Sequence, residues 1–196
     1  MPAPPVRKAA PSEHAAVVDT LTLAFAGDPF NRWYLPDAET FLRYFPRITD
    51  AFVDCALEHD TCFVTDRIEG VALWLPPGVT PDEAPLEAIF AEAVSPLLME
   101  PLGQLMASFE SFHPKDADCW YLPLIGVDPG CQGQGTGAAL MKHATTMLDD
   151  AGVLGYLESS TPRNVPFYER HGFEVMGELP FGDGGIVTPM VRSRRA

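Results

Sequence analysis

The sequence predicts an α+β (mixed α/β) fold, a central sheet of about six to seven strands carrying helices, and separate stretches of the chain support this. A strand, a glycine-rich loop, a helix and a second strand follow one another from Cys119 to Glu158. A hairpin pattern runs from Thr61 to Leu75, and apolar residues at helical spacing mark the segments 38–59 and 76–118. With 196 residues, 46% of them hydrophobic, a single domain (1–196) can bury a core without disulfide or metal staples.

In chain order, Val6–Ala9 reads as a short first strand. Ser12 is placed as an N-cap, followed by a helical face of Val17, Val18, Leu21 and Phe25. Gly27-Asp28-Pro29 stops that helix, and an aromatic-dense loop follows up to Pro36. Its Phe30, Trp33 and Tyr34 either pack on the core or line a cleft, which makes them candidates for binding a substrate. Ala38 to His59 forms the next helix, with Phe41, Phe45, Ile48, Phe52 and Cys55 on one side. Two strands, Thr61–Thr65 and Val71–Leu75, flank a turn at 66–70. Segment 76–118 reads as a helical insertion, broken near Pro96 and Pro101, lying over one end of the sheet, which on the resemblance given below is the acceptor side.

The regular part begins at Cys119 with a strand to Val127. A helix from about Gly135 to Ala151 and a strand at Leu154–Glu158 follow, in the manner of a right-handed β-α-β crossover. A short helix closed by Gly172 comes next, then strands at Phe173–Glu178 and about Ile186–Arg192.

Charge and composition exclude several classes. A formal net charge of −14 gives no basic surface for neutralising phosphates, which argues against nucleic acid and suits a cationic small substrate. No run reaches the length of a membrane span, and no apolar stretch follows the N-terminal prolines as in a secretion signal, so a cytoplasmic protein is expected. Cys55, Cys62, Cys119 and Cys131 show no metal-ligand spacing and read as free thiols in a reducing compartment.

The chemistry concentrates in Gln132-Gly133-Gln134-Gly135-Thr136-Gly137. Backbone N–H groups in such a loop point together at the positive end of a helix, and glycines let an anion approach, so the stretch reads as a phosphate cradle. A nucleotide P-loop requires Lys followed by Ser or Thr after its last glycine, whereas Thr136-Gly137 follows here. Gly133, Gly135 and Ala138 also fit the dinucleotide fingerprint, with Glu158 near the ribose-binding position, but too few residues follow Glu158 for the further βα units of that fold. A third pattern uses Val127, Pro129, Gln132, Gly135 and Gly137 together. Downstream, Asn164, Phe167, Tyr168, Gly172 and Phe173 form a second motif. In order and spacing the two resemble the paired signatures of the GNAT acetyltransferases. The strings FHPKDADCWYL and LESSTPRNVPFYERHGFEV are similar to its puromycin-acetylating branch.

That resemblance implies a twisted, mostly antiparallel sheet with helices on both faces, splayed at a central parallel pair of strands. It implies acetyl-CoA as co-substrate and direct acetyl transfer to a primary amine of a small molecule, for instance an aminonucleoside such as puromycin. On this reading Ile125, Gly126 and Val127 pair with the pantetheine arm, while Gln132, Gly133, Gln134, Gly135, Thr136 and Gly137 hold the pyrophosphate. Asn164 and Phe167 complete the cofactor side. Tyr168 matches the family's general acid, and Glu158 is the candidate base. No metal is implied, His143 and His171 are expected to face solvent, and the chain is expected to act as a monomer or homodimer. An acetyltransferase of peptide or protein amines and a non-catalytic acyl-CoA-binding module are the alternative readings.

Overall fold

The computed structural model describes residues 4–115 and 118–194. Met1–Ala3, Asp116, Ala117, Arg195 and Ala196 lie outside the described residues, so the end of the 76–118 segment and part of the FHPKDADCWYL string do as well. The strands are β1 (Val6–Lys8), β2 (Cys62–Thr65), β3 (Gly70–Leu75), β4 (Cys119–Val127), β5 (Leu154–Ser159), β6 (Glu174–Val175), β7 (Leu179–Phe181) and β8 (Gly185–Arg192). The helices are α1 (His14–Phe25), α2 (Pro29–Tyr34), α3 (Ala38–Glu58), α4 (Glu83–Ala93), α5 (Pro96–Phe112), α6 (Thr136–Ala151) and α7 (Val165–Glu169).

The strands join in the order β1-β2-β3-β4-β5-β8-β6, with β7 also paired to β8. Every pairing is antiparallel except β4 with β5, whose α6 crossover delivers the second strand parallel to the first. β3 shows how the layers close. All its residues are buried, and alternate side chains serve opposite faces. Ala72 and Trp74 pack with Leu140, Met141 and Ala144 of α6. Val71, Leu73 and Leu75 pack with Val17 and Leu21 of α1 and Val53 of α3.

The central parallel pair is short. β4 and β5 are in register only from Cys119↔Leu154 to Leu122↔Leu157. Beyond Leu122, β4 takes three steps from Tyr121 to Leu124 where β3 takes two from Leu75 to Leu73, which is a bulge centred on Leu122-Pro123. Proline has no N–H to give to a ladder and sits in strands at such places. The bulge turns the distal half of β4 away from β5, and a gap opens between the two strands.

Several elements differ from the sequence expectation, each for a local reason. The aromatic stretch after Gly27 is a helix, α2, because Asp28-Pro29 is an N-cap followed by proline at the first helical position. The Asp28 side chain accepts the Asn31 N–H at 2.9 Å. Ser12 lies in a 3-10 turn ahead of α1, and no side chain caps that helix. Pro101 is accommodated within α5, so the break in the insertion falls at Val94–Ser95, before Pro96. Phe173–Glu178 contributes only the two residues of β6, and the separate hairpin of β7 with β8 brings the described strands to eight. His143 is half-buried with its ring 4.7 Å from that of Phe63, and His171 is half-buried against Phe167 at 5.0 Å.

Candidate active site

The loop leading into α6 has the shape its glycines require. Gly133 and Gly135 take φ values of 73° and 88°, a left-handed conformation that side chains resist, and nothing lies within 4 Å of where a Cβ would stand on either. Asp128 holds the start of the loop by accepting the Gly130 N–H at 2.7 Å. The first α6 hydrogen bond runs from the Ala139 N–H to the Gly135 carbonyl at 2.9 Å, so the N–H groups of Thr136, Gly137 and Ala138 have no acceptor within the helix. Together these features make a concave cluster of amide donors at a helix N-terminus with open access, which fits a pyrophosphate.

The other cofactor-side residues divide by what they touch. The Asp128 N–H donates to the Glu69 carbonyl at 2.8 Å, which directs the backbone of Gly126 and Leu124 to β3 and that of Ile125 and Val127 to the gap beside β5. Ile125 and Val127 thus fit the amides of a pantetheine arm. The Val127 carbonyl there accepts from Gln132 Nε2 at 3.2 Å. Gly126 serves packing, since a Cβ would lie 2.7 Å from that of Ala24 on α1. The buried Thr136 side chain packs over Gly70 of β3. Gly137 receives the Phe167 ring, which a Cβ would meet at 3.5 Å, and this contact seats α7 against the first turn of α6. Gln134 Nε2 reaches the Gly130 carbonyl at 3.5 Å within the loop. Asn164 is exposed ahead of α7 and makes no capping bond with its side chain.

Glu158 lies on β5, just past the point where the parallel pair separates. Burial pushes its carboxyl up to about 7, against the opposing hydrogen bonds from the Tyr121 and Tyr156 hydroxyls. These tyrosines are register partners on β4 and β5, their rings 6.0 Å apart. The His113 ring lies 4.7 Å from Tyr156 and 5.6 Å from Tyr121. A carboxyl in such a cage changes protonation near neutral pH and has phenol donors to stabilise its charged form, properties suited to a general base.

Tyr168 is buried in α7 with its ring 5.2 Å from Phe167 and 6.3 Å from Phe173. Burial and the charge of Asp28 hold its hydroxyl above the usual phenol range, so it carries its proton at neutral pH. Asp28 itself is buried enough to be shifted upward, and it accepts hydrogen bonds from Asn31 Nδ2 at 2.8 Å and from Ser160 Oγ. The last of these ties the N-terminus of α2 to the end of β5.

The aromatic candidates gather on α2. Phe30 stacks edge-on to Tyr34, Phe109 and Phe181 at centroid distances of 5.3, 5.9 and 5.5 Å, and Trp33 lies 5.3 Å from Phe181. Tyr34 is buried, and its hydroxyl donates to Asn31 Oδ1 at 2.6 Å. Of the three, Trp33 lines a cavity. Sequence reasoning did not single out Asp28, Ser160, Tyr121 or Tyr156. The Asp-Pro pair was a legible capping signal for Asp28, whereas the tyrosines are joined only by strand register.

Comparison with known proteins agrees with this architecture. The acetyltransferase (GNAT) domain family matches residues 103–194, which include the loop, β5 and α7. An uncharacterised N-acetyltransferase of Bacillus subtilis is 36% identical over 52 residues, 26% of this chain and 37% of that relative's own length. The structure of a Corynebacterium glutamicum protein described as histone acetyltransferase HPA2 and related acetyltransferase is 26% identical with a TM-score of 0.70, covering 99% of this chain and 98% of that one. A polyamine N-acetyltransferase of Drosophila melanogaster shares the fold at 16% identity and a TM-score of 0.61, over 96% and 99% of the two chains. Alongside the splayed parallel pair and the glycine-rich amide cradle, residues 103–194 of this chain match the GNAT acetyltransferase domain, and the chain as a whole shares the fold of solved acetyltransferases.

Proposed function

We propose that this chain is an acetyl-CoA-dependent N-acetyltransferase that acts on the primary amine of a small molecule, an aminonucleoside such as puromycin being one candidate. The observation that carries the reading is the gap between β4 and β5, with the amide cradle of α6 at one side and the caged Glu158 on β5 just beyond the point of separation. Acetyl-CoA, when bound, supplies a thioester reactive towards amines and a sulfur leaving group. The backbone of Ile125 and Val127 aligns the pantetheine arm as an added strand, and the α6 amides hold its phosphates. Glu158, directly or through a water, removes the proton from the substrate ammonium so that nitrogen has a lone pair to attack with. Tyr168 keeps its proton available for the departing sulfur.

The test is mass spectrometry of an amine panel containing puromycin, incubated with acetyl-CoA and either the wild type or Tyr168→Phe. An acetyl group gained by any amine with the wild type, and lost or strongly reduced with the variant, supports the assignment. Acetyl-CoA binding without transfer to any amine overturns it.

A further inference from the structure

The end of α5 is fastened beside the tyrosine cage. Phe109, Phe112 and His113 are spaced three and four residues apart, so they share one side of that turn. Each makes a separate contact. The Phe109 carbonyl accepts from the Tyr156 hydroxyl at 3.5 Å, and it also accepts the His113 N–H at 3.0 Å. The Phe112 ring lies against Gly177, where a Cβ would meet it at 2.8 Å. The His113 ring lies on both Tyr156 of β5 and Tyr121 of β4, and its Nδ1 donates to the Pro114 carbonyl at 3.2 Å.

The Tyr156 hydroxyl has one proton to donate and two acceptors, the Glu158 carboxylate and the Phe109 carbonyl. The ionised acceptor makes the stronger bond, but only where the ring is held so that the hydroxyl meets it. The His113 ring stands across those of Tyr156 and Tyr121 at 59° and 70°. Around it the titratable groups are Tyr121 and Tyr156, with Glu158 beyond their hydroxyls and Cys119 of β4 near enough to act on Tyr156. Lys115 follows on its own segment and is exposed. Burial and hydrogen bonds account for the state of the Glu158 carboxyl, so His113 acts on it through the tyrosines rather than by its own charge.

We infer that His113 is a positioning residue for the proposed base: its ring, carried by the end of α5, wedges Tyr121 and Tyr156 so that both hydroxyls point at the Glu158 carboxylate. Without the wedge, Tyr156 turns to the Phe109 carbonyl and the carboxylate loses a donor. The catalytic consequence rests on the acetyltransferase reading above, whereas the effect on Glu158 rests on the cage alone. Helix α5 thus sets the base from outside the strands that carry it.

The experiment titrates the Glu158 carboxyl by carbon NMR without substrates in the wild type, His113→Ala and His113→Phe, and records the acidic limb of kcat/KM for an amine the wild type acetylates. In His113→Ala the ionised carboxylate loses a donor, so its midpoint should rise by about one unit, a tenfold change in proton affinity, and the acidic limb should rise with it. His113→Phe restores a ring without a titratable nitrogen, and its midpoint should stay with the wild type. A midpoint that His113→Ala leaves in place, or that His113→Phe shifts as far as His113→Ala does, overturns the wedge. A midpoint that rises while the acidic limb stays still leaves His113 with no part in the reaction and overturns the positioning role. If His113→Ala does not fold, His113→Leu takes its place under the same criteria. If no amine is acetylated, the reaction assignment fails, while the carboxyl titration still decides the wedge.

Discussion

Replacing Tyr121 by Phe removes one of the phenol donors that hold the Glu158 carboxylate while leaving the ring in place. Glu158 is held up to about 7 by burial, and the Tyr121 hydrogen bond is the largest of the influences opposing that rise. A hydrogen bond to a charged group contributes about 1.5–3 kcal/mol, and one pH unit corresponds to about 1.4 kcal/mol, so its loss should raise the midpoint by about 1 to 2 units. The sign follows from which form is bonded: the phenol donates to the ionised carboxylate, so removing it favours the protonated form and the base is lost at neutral pH. The acidic limb of kcat/KM for the amine should therefore move upward by that amount. Its own ionisation is common to both enzymes and cancels in the comparison. Carboxyl carbon NMR of Glu158 in the absence of substrates reads the same midpoint directly. A midpoint that stays in place or moves down in Tyr121→Phe would refute the cage as the source of Glu158's tuning.

Further expectations concern the acid, the cradle and the frame. Tyr168→Phe should lower kcat by about a hundredfold or more, the usual weight of a positioned proton donor, with acetyl-CoA affinity by calorimetry nearly unchanged. Gly135→Val places a β-branched residue at φ 88° and should abolish acetyl-CoA binding in the same assay; binding retained in that variant would remove the loop from the cofactor site. Asp149→Asn breaks the pair in which Arg192, 2% exposed, meets Asp149 at 2.7 Å between β8 and α6. The stability loss in urea should be about 3 kcal/mol, at the low end for buried pairs because the Asp149 side chain remains 30% exposed.

The parts of the fold that local pattern controls were readable along the chain. α3 was expected at Ala38–His59 and spans Ala38–Glu58; α6 was expected from about Gly135 and begins at Thr136. Both carry a long apolar face, and periodicity over many residues outweighs any single local choice. Short elements were harder. α2 has too few residues to show a periodicity, so the sequence reads as a loop there, and the Asp-Pro pair fits the end of α1 as well as the start of a new helix. The β6–β7 region resolves into two short strands through pairing with β8, a contact at long sequence separation that no local window contains.

By itself, the sequence determined the chemistry that travels with the backbone. Glycines at 133 and 135 permit left-handed geometry in any context, a helix N-terminus exposes unpaired amides wherever it lies, and the spacing of Asn164, Phe167 and Tyr168 puts them in one short segment. Which side chains surround Glu158 follows instead from contacts between elements far apart in the chain. The bulge at Leu122-Pro123 opens β4 from β5, register places Tyr121 beside Tyr156 with Glu158 just beyond, and α2 brings Asp28 to Ser160 from 132 residues away. Burial and partner geometry set the protonation of Glu158, and both arise when distant strands and helices meet rather than from the order of residues along any one of them.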